Sequence, residues 1–405
     1  MSIQTLGQLK QFYEDQIHND IMPFWTDNAI DWERGGIFTG IKDDGTVLTT
    51  NKYIWSNARA IYTFSALCNR IEDKKIWRQA ADNIFEFCLK NGRDSEGRWI
   101  YLTDRDGKQL EGEKAIQVDA FAIMGLVEYA KLTGDKRAID AAVETYHSAR
   151  NRLAKPGTYG TFPYPTPEGY IAHRDYFQFA FAFFELGWYL NDETIIEHSL
   201  EKAGMVMDCF RQPERNGLVE YVSESTHEFV DTPVGRTMVP GHAIEAMWFL
   251  IHVYRETGDT ERIRQAIETI HGSIEKGWDP EYGGILLGID IDNKEEPYWK
   301  NWEKKIWWVF VEALYGLLLA YEHAPEQWCL DWYARVHEWA FRHFPVPEHG
   351  EWTQRLDREG KVTDTVVALP VKDPFHLPRA FILSAEVLGR LTAAGKDTTE
   401  IQIES

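Results

Sequence analysis

The sequence predicts an all-α fold, namely an (α/α)6 toroid that forms a single domain over residues 1–405. Three observations support this prediction. A short glycine-containing motif recurs about every 60 residues. Each interval between motifs holds two helical patterns, the first apolar on almost all sides and the second amphipathic. The first and last apolar helices lack the polar capping face that an open solenoid needs, which favours a closed ring.

The recurring motif combines a glycine, acidic or turn residues, and a run of aromatic or β-branched residues. Asp-Gly and Glu-Gly pairs beside such runs are typical of short β-hairpins or extended loops. One glycine marks each copy of the motif: Gly36, Gly97, Gly160, Gly217, Gly284 and Gly350. The sequence therefore predicts six hairpin-like segments, each of which precedes an apolar helix.

The interval after Gly217 shows the pair of helices most clearly. Residues 242–256 are apolar on most sides, which predicts a helix buried in the inner ring. Thr-Gly-Asp at 257–259 breaks the pattern, and its aspartate is suited to capping the next helix. Residues 261–276 place isoleucine on one face and charges on the other, which predicts an outer helix. Further predicted apolar helices are 57–70, 117–132, 305–321 and 375–391, and further amphipathic ones are 74–90, 137–153 and 325–344.

All six motifs are expected at one mouth of the toroid, because each motif leads into an apolar helix. The N-terminal ends of the apolar helices open into the same mouth, so polar or unusual residues at these helix starts are candidate site residues. They are Arg59, Gln117, Asp119, His173, Arg174, Asp175, His242, Glu245, Trp307, Trp308, Glu312, His376 and Arg379.

His242, Glu245 and Glu312 stand out because they interrupt apolar helices. The three-residue spacing puts His242 and Glu245 on one helix face, where a plain helix pair is the alternative interpretation. Burying charged groups without a role is costly, and such groups cluster at functional sites, so a functional pair is favoured. Glu312 is the only acid in the apolar run 305–321, and the same reasoning favours a role for it.

His376 and Arg379 repeat the three-residue spacing on the last apolar helix and are also favoured as site residues. The Trp307-Trp308 doublet is equally consistent with core packing. Three further candidates stay open between structural and functional roles: Asp119, His173 and Asp175.

The composition argues against several classes of function. The formal net charge is −21 with no local basic stripe, which disfavours binding to nucleic acid or to an anionic membrane surface. The most apolar stretch, residues 177–190, is too short to cross a bilayer. The four cysteines lie far apart, without zinc or disulfide spacing, and the N-terminal segment is polar. These features predict a cytoplasmic protein without a membrane span.

No cofactor signature accompanies the candidate residues. The sequence has no phosphate-binding P-loop, dinucleotide fingerprint, H-E-x-x-H motif or serine nucleophile elbow. Scattered histidines could bind a metal, but no compact spacing requires one. We therefore expect no cofactor and no metal. Nucleotide activation stays open, and a homodimer is the expectation for the oligomeric state.

Four motifs around these residues resemble those of the N-acylglucosamine 2-epimerase family, also called the renin-binding protein family. They are P-G-H-A-I-E-A at 240–246, W-W-x-x-x-E-A-L at 307–314, H-G-E-W-x-x-x-L-x-R-E-G-K-V at 349–362 and F-H-L-P-R at 375–379. The motifs come in family order and at family spacing, and the resemblance covers essentially the whole chain. It implies an (α/α)6 barrel, a sugar held in its mouth and reversible inversion at C2 of an aldose.

The resemblance also implies roles for individual residues. His242 and His376 match the two family histidines that handle protons, and they are the expected catalytic residues. The expected substrate-binding residues are Arg59, Glu245, Trp308, Glu312 and Arg379. Residues 371–374 read V-K-D-P where N-acylglucosamine epimerases tend to carry a Lys-Gly pair. This departure leaves both an N-acetylglucosamine/N-acetylmannosamine substrate and a mannose/glucose substrate open.

The residue types fit such chemistry. Ring opening and removal of the C2 proton can be assisted by a general acid–base that works near neutral pH, which is the property of histidine. The resulting enediolate needs a fixed cation, and Arg59 or Arg379 can supply one. Two histidines on separate helices fit a scheme in which one removes the proton and the other returns it to the opposite face.

Three alternatives stay open at the level of sequence. A single base that moves the proton between C2 and C1 would make the protein an aldose–ketose isomerase. An inverting glycoside hydrolase needs two carboxylates about 6.5–9.5 Å apart, which Asp119, Asp175 or Glu312 could provide. The third alternative is a sugar- or protein-binding module without turnover, although both histidines at inner helix starts argue against it.

Overall fold

The computed structural model describes residues 2–155, 157–365, 371–396 and 398–403. Within these ranges the α-helices are α1 (Leu6–Gln16), α2 (Met22–Asn28), α3 (Ile54–Arg70), α4 (Lys75–Asn91), α5 (Gln117–Thr133), α6 (Lys136–Leu153), α7 (Arg174–Leu190), α8 (Glu193–Met205), α9 (Pro240–Thr257), α10 (Thr260–Gly277), α11 (Trp307–His323), α12 (Gln327–His343) and α13 (His376–Leu391). Short π-helical segments cover Ile17–Ile21, Val206–Phe210 and Thr392–Lys396, and a 3-10 turn covers Pro213–Arg215.

The helices form two concentric rings, which confirms the predicted (α/α)6 toroid. The inner ring is α3, α5, α7, α9, α11 and α13, in which each helix packs against the next and α13 returns to α3. Helices α4, α6, α8, α10 and α12 each pack on the inner helix that precedes them. The inner helices are buried on almost all sides, whereas the outer ones bury one face.

The sixth outer helix comes from the other end of the chain, which the sequence analysis did not predict. Helix α1 packs on α13 and buries only Leu6, Leu9 and Tyr13. Three apolar residues in an otherwise polar segment are too weak a periodic signal to predict a helix. The hydroxyl groups of Tyr13 and Tyr333 form a buried hydrogen bond that ties α1 to α12.

The repeated Thr-Gly-Asp sequence ends one helix and starts the next. Gly134 and Gly258 follow α5 and α9 with φ of 70° and 76°, a left-handed conformation that glycine adopts at little cost. The aspartate after each glycine then caps the outer helix, since Asp135 accepts from the backbone N–H of Arg137 and Asp259 from that of Arg262.

Short strands connect the helices, and most of them lie at the mouth where the inner helices begin. They are β1 (Ser2–Thr5), β2 (Gly40–Ile41), β3 (Val47–Thr49), β4 (Lys52–Tyr53), β5 (Leu102–Thr103), β6 (Gln109–Glu111), β7 (Tyr170–Ala172), β8 (Arg211–Gln212), β9 (Gly217–Leu218), β10 (Tyr221–Ser223), β11 (Thr237–Met238), β12 (Ile289–Asp290), β13 (Lys305–Ile306), β14 (Arg355–Leu356) and β15 (Glu400–Ile403). The pairs β2–β3, β5–β6 and β8–β9 are hairpins, and β1 pairs with β15 to join the two chain ends.

The other strand pairs link neighbouring repeats rather than closing on themselves. The strand that leads into an inner helix pairs antiparallel with the strand that follows the next outer helix, as in β4–β5, β7–β10, β11–β12 and β13–β14. A bridge between Ala115 and Thr161 does the same for α5. The ring also closes here, because the N–H of Lys372 donates to the carbonyl of Thr39. The predicted motifs therefore lie at one mouth and form a belt.

Buried lysines fix the starts of three inner helices. Each stands just before its helix and pairs with an acid of a neighbouring motif: Lys52 with Asp31 at 2.9 Å, Lys305 with Asp279 at 3.0 Å, and Lys372 with Glu351. Lys305 belongs to strand β13, so α11 begins two residues later than predicted. These pairs hold the mouth of the ring to the strand belt.

The opposite mouth carries ion pairs between the C-terminal ends of inner helices. Arg70 of α3 contacts Glu128 of α5 at 3.1 Å and Glu386 of α13 at 3.0 Å. Lys131 and Glu185 pair α5 with α7. Among the described residues, none of the helices is both long and apolar enough to span a bilayer.

Candidate active site

A pocket opens at the mouth that carries the strand belt. Every inner helix contributes to its lining through residues at or just before its N-terminal end, and the segment after α6 covers one side. The lining includes Trp55, Arg59, Gln117, Thr161, Phe162, Pro163, Tyr164, Arg174, Gln178, His242, Glu245, Ile306, Trp307, Trp308, Arg355, Val371, Asp373 and His376. Of the predicted catalytic and substrate-binding residues, Glu312 and Arg379 lie behind this lining and the other five are part of it.

His242 is held by a carboxylate that the sequence analysis missed. Its Nδ1 lies 3.1 Å from Oε2 of Glu220, and that oxygen also lies 3.0 Å from Nε2 of His173. The other oxygen of Glu220 accepts from Arg174 at 3.0 Å. Since a carboxylate accepts hydrogen bonds, Nδ1 of His242 is the nitrogen that donates to Glu220, and Nε2 takes no part in this contact.

Glu220 is fully buried and remains ionised. Burial alone would raise its pKa, but the two imidazoles of His242 and His173 outweigh burial and hold the pKa well below the usual glutamate value. Burial lowers the pKa of His173. A sequence signal for Glu220 existed, because it is the only acid in the buried strand segment 218–222.

His376 is held in the same way by a different carboxylate. Its Nδ1 lies 2.7 Å from Oε1 of Glu312, which also accepts from Arg379 at 2.6 Å. The second oxygen of Glu312 accepts from the indole N–H of Trp248 at 2.8 Å. Burial raises the pKa of Glu312, and the charge of Arg379 opposes this. Burial, and after it the positive charge of Arg59, lowers the pKa of His376 well below the usual histidine value. This imidazole is therefore neutral.

Trp308 lies between the two histidines. Its ring stacks on His242 with centroids 4.9 Å apart and planes at 27°, and it contacts His376 with centroids 5.7 Å apart. The indole therefore fixes both imidazole planes and presents an apolar surface to the pocket. The doublet with Trp307 is part of the lining and not only of the core.

The predicted pair between His242 and Glu245 is not formed. Glu245 instead accepts from Arg379 at 2.8 Å, and its nearest imidazole is His376, whose Nδ1 is 3.9 Å away. Sharing a helix face did not bring the two side chains together, because His242 turns to Glu220 on the neighbouring strand segment. Arg379 links Glu245 and Glu312 behind the pocket.

Among the described residues, Arg59 is one of three arginines that line the pocket. Its guanidinium lies over the rings of Phe121 and Phe375, at 4.0 and 4.7 Å from their centroids, and NH1 lies 3.3 Å from Oδ2 of Asp373. Aromatic faces favour a cation and leave its remaining N–H groups free for a ligand. Burial raises the pKa of Asp373.

The three residues left open by sequence have separate positions. His173 supports Glu220, as described above. Asp119 pairs with Arg152, and Asp175 accepts from Gln117 at 2.6 Å. Burial raises the pKa of Asp119 to about 7 and that of Asp175 to about 6. Neither carboxylate is among the described residues that line the pocket.

Two clusters have the donor types that a transition metal takes. His173, Glu220 and His242 form one, and Glu245, Glu312 and His376 form the other, each with its nitrogen and oxygen atoms within 4.8 Å of one another. In both clusters an arginine already donates to a carboxylate, through Arg174 or Arg379. A bound metal would compete with these hydrogen bonds, so the arrangement fits paired imidazole–carboxylate units better.

The chain is similar to known proteins over most of its length. Residues 36–378 match the family model of N-acylglucosamine 2-epimerase. The N-acylglucosamine 2-epimerase of Mus musculus is 29% identical over 96% of this chain and 94% of its own.

Two solved structures have the same fold. The cellobiose 2-epimerase of Bacillus thermoamylovorans B4167 superposes with a TM-score of 0.80 at 20% identity, covering 93% of this chain and 99% of its own. A D-mannose isomerase superposes with a TM-score of 0.78 at 20% identity, covering 96% of this chain and all of its own. The match to the family model spans most of the chain, and the protein belongs to the N-acylglucosamine 2-epimerase family.

Proposed function

We propose that this protein is a sugar 2-epimerase that inverts C2 of an aldose by proton transfer through an enediolate. The observation that carries the proposal is the pair of imidazole–carboxylate units on either side of Trp308. His242 contacts Glu220 and His376 contacts Glu312 through Nδ1, and both imidazoles line one pocket. Inversion at one carbon needs two proton-transfer groups, one for each face, and this pocket has two.

The reaction begins with the open-chain aldose, because only the aldehyde makes the C2 proton acidic. One imidazole removes that proton as a general base, which leaves an enediolate with negative charge on O1. Arg59 is the group that we expect to stabilise this charge, since its guanidinium is fixed by aromatic rings and by Asp373. The second imidazole, in its protonated form, returns a proton to the opposite face.

The two histidines differ in a way that suits opposite roles. His376 is neutral before the reaction, because burial and the nearby Arg59 lower its pKa. His242 contacts the fully buried carboxylate of Glu220 through Nδ1, as the histidine of a serine protease triad contacts its aspartate. In the reverse direction the roles exchange. Electrons stay within the sugar throughout, so the proposed reaction needs no redox cofactor.

The substrate that we propose is an aldohexose or its 2-acylamino derivative. The name of the mouse relative makes N-acylglucosamine and N-acylmannosamine the first pair to test, and mannose and glucose are the second pair. A neutral sugar fits the pocket electrostatically, because the lining carboxylates Glu245 and Asp373 are each paired with an arginine.

The test is incubation of the protein in D2O with each sugar, followed by proton NMR. We expect the C2 proton signal to disappear as the C2 epimer forms with deuterium at C2. His242→Asn and His376→Asn keep much of the ring volume and one polar donor, and each should lower epimerisation by about 10²-fold or more. If none of these aldoses exchanges its C2 proton in the presence of the wild-type protein, the proposal is wrong.

The two main alternatives make different products. An aldose–ketose isomerase would need one base that reaches both C1 and C2, and chromatography of the product would reveal a ketose. An inverting hydrolase would need two free carboxylates across the pocket, whereas Glu245 and Asp373 are both neutralised by arginines. For a hydrolase, the two histidine substitutions would only weaken cleavage of a glycoside.

A further inference from the structure

Each of the two pocket histidines contacts its own carboxylate, His242 that of Glu220 and His376 that of Glu312. We propose that Glu220 is a positioning residue for one face of the sugar only, because it holds His242 and not His376, while Glu312 serves the other face. This inference rests on the proposed epimerase function. It concerns Glu220, which was not among the sequence candidates, and its partner His173, whose role the sequence left open.

Glu220 is locked in place from every side. Its carboxylate is bonded to His242, His173 and Arg174, and its side chain is fully buried. Its backbone N–H donates to the carbonyl of Thr237 at 2.8 Å, and its carbonyl accepts from the N–H of His173 at 3.2 Å. A side chain held by this many contacts cannot swing from one histidine to the other.

Arg174 reinforces this position. Besides Glu220, its guanidinium donates to the carbonyl of Tyr164 at 2.5 Å and to the hydroxyl of Thr166 at 3.0 Å. The cation is therefore fixed between the carboxylate and the segment that covers the pocket. It cannot leave Glu220 without losing these bonds, so the charge of Glu220 stays directed at the two imidazoles.

The two imidazole–carboxylate units have separate hydrogen-bond partners. Glu312 lies on α11 and bonds to His376, Arg379 and Trp248, none of which bonds to Glu220 in the described part of the chain. The ring of Trp308 lies against both imidazoles. Removing the charge of one carboxylate should therefore affect one proton transfer and spare the other.

Glu220→Gln tests this separation. The amide keeps the volume of the carboxylate but cannot stabilise an imidazolium at His242, so we expect epimerisation to fall about 10²-fold in both directions. His376 should still remove the C2 proton of its own epimer. Because His376 lines the pocket, its ring can exchange that proton with D2O and return a deuteron to the same face.

The readout is C2 proton exchange measured separately for each epimer of one pair, at times too short for epimerisation. In Glu220→Gln one epimer should exchange without inverting, at a rate within about threefold of wild type, and the other should lose exchange about 10²-fold. Glu312→Gln should give the opposite pattern. A residue with a purely structural role would slow both epimers equally.

Glu128→Gln is the matched control. Glu128 is equally buried and ion-paired, with Arg70 at 3.1 Å, but it lies at the opposite mouth. It should leave the exchange ratio of the two epimers unchanged. If Glu220→Gln does not fold, His173→Gln replaces it, because removing one donor to the same oxygen should give the same one-sided loss in weaker form.

Two results would overturn the inference while the proposed function stands. One is equal loss of exchange for both epimers in Glu220→Gln, or in His173→Gln where that variant replaces it. The other is the same epimer preference in Glu220→Gln and Glu312→Gln. Absence of any C2 exchange in the wild-type protein would instead contradict the epimerase function itself, so the two failures are distinguishable.

Discussion

The Cα atom of Gly241 packs directly against the indole ring of Trp308. A Cβ added to Gly241 would lie 2.6 Å from Cζ3 of that ring and 2.9 Å from a methyl group of Val309. Gly241 also precedes His242 on helix α9, so the same contact brings α9 and α11 close enough for the indole to stack on the imidazole. Glycine is required at this position because helices α9 and α11 approach each other closely, and not because of its backbone conformation.

We predict that Gly241→Ala lowers both kcat and the free energy of unfolding. The added methyl group forces Trp308 away from its position between the two histidines, and we expect at least a tenfold fall in kcat, together with about 1–3 kcal/mol of destabilisation from overpacking. Steady-state kinetics and urea unfolding measure the two effects. Gly204→Ala in α8 is the control, because its nearest neighbour beyond the helix is 3.7 Å away. It should keep full activity, and unchanged kcat in Gly241→Ala would refute the role of the contact.

Arg59 gives the second prediction. If its guanidinium stabilises the enediolate, Arg59→Gln should lower kcat by about 10²–10³-fold with a smaller change in KM, as loss of an oxyanion donor does. Arg59→Lys should recover little, since a lysine cannot stack on Phe121 and reach Asp373 at once. Arg355→Gln, which alters another arginine of the lining, is the comparison and should cost less than tenfold. A kcat for Arg59→Gln within threefold of wild type would exclude this role.

The pH dependence of exchange gives the third prediction. A histidine acts as a base only when neutral, and burial together with Arg59 lowers the pKa of His376 below its usual value of 6.5. Lowering this pKa extends the neutral form to more acidic pH, so the epimer deprotonated by His376 should keep its exchange rate below pH 6.5. Arg59→Gln removes a nearby positive charge, raises that pKa and should move the acid limb of the profile upward.

The measurement is the initial rate of C2 proton exchange for each epimer between about pH 4.5 and 8. If the exchange rates of both epimers already fall at or above pH 6.5 in the wild-type protein, the prediction is wrong. Far-ultraviolet circular dichroism at each pH checks that the protein remains folded over this range.

The sequence predicted the ring because its signals are local. The apolar helix over 117–132 and the amphipathic helix over 137–153 lie within one or two residues of α5 and α6. Periodicity and the Thr-Gly-Asp break are properties of adjacent residues, and they survive in any tertiary context. Helix α1 was missed because its helical state depends mainly on packing against α13, which is over 360 residues away in sequence.

The partners within the site were less predictable for a related reason. The spacing of His242 and Glu245 was visible, but the contact actually made joins His242 to Glu220, 22 residues earlier and outside the helix. His376 and Glu312 are 64 residues apart, and both were predicted as site residues, but the sequence did not indicate which imidazole Glu312 contacts. A helix start identifies a residue that faces the mouth, whereas its partner is chosen by how the strand belt folds.

Glu128 gives the last prediction, a dependence of stability on pH. Burial would raise the pKa of this carboxyl, but the charges of Arg70 and Lys131 outweigh it and lower the pKa from 4.5 to about 2. Because the folded pKa lies below the unfolded one, the stabilisation is fully present above pH 4.5 and is lost as the pH falls toward 2. The shift corresponds to about 3 kcal/mol.

Glu128→Gln should therefore unfold more easily than wild type by about 3 kcal/mol at pH 7, and the difference should shrink steadily below pH 4.5. Urea unfolding from pH 7 to pH 3 measures it, with Glu144→Gln on the exposed face of α6 as a control that should shift little at any pH. A difference for Glu128→Gln that stays constant over this range would mean that the ion pair with Arg70 does not set the pKa of Glu128.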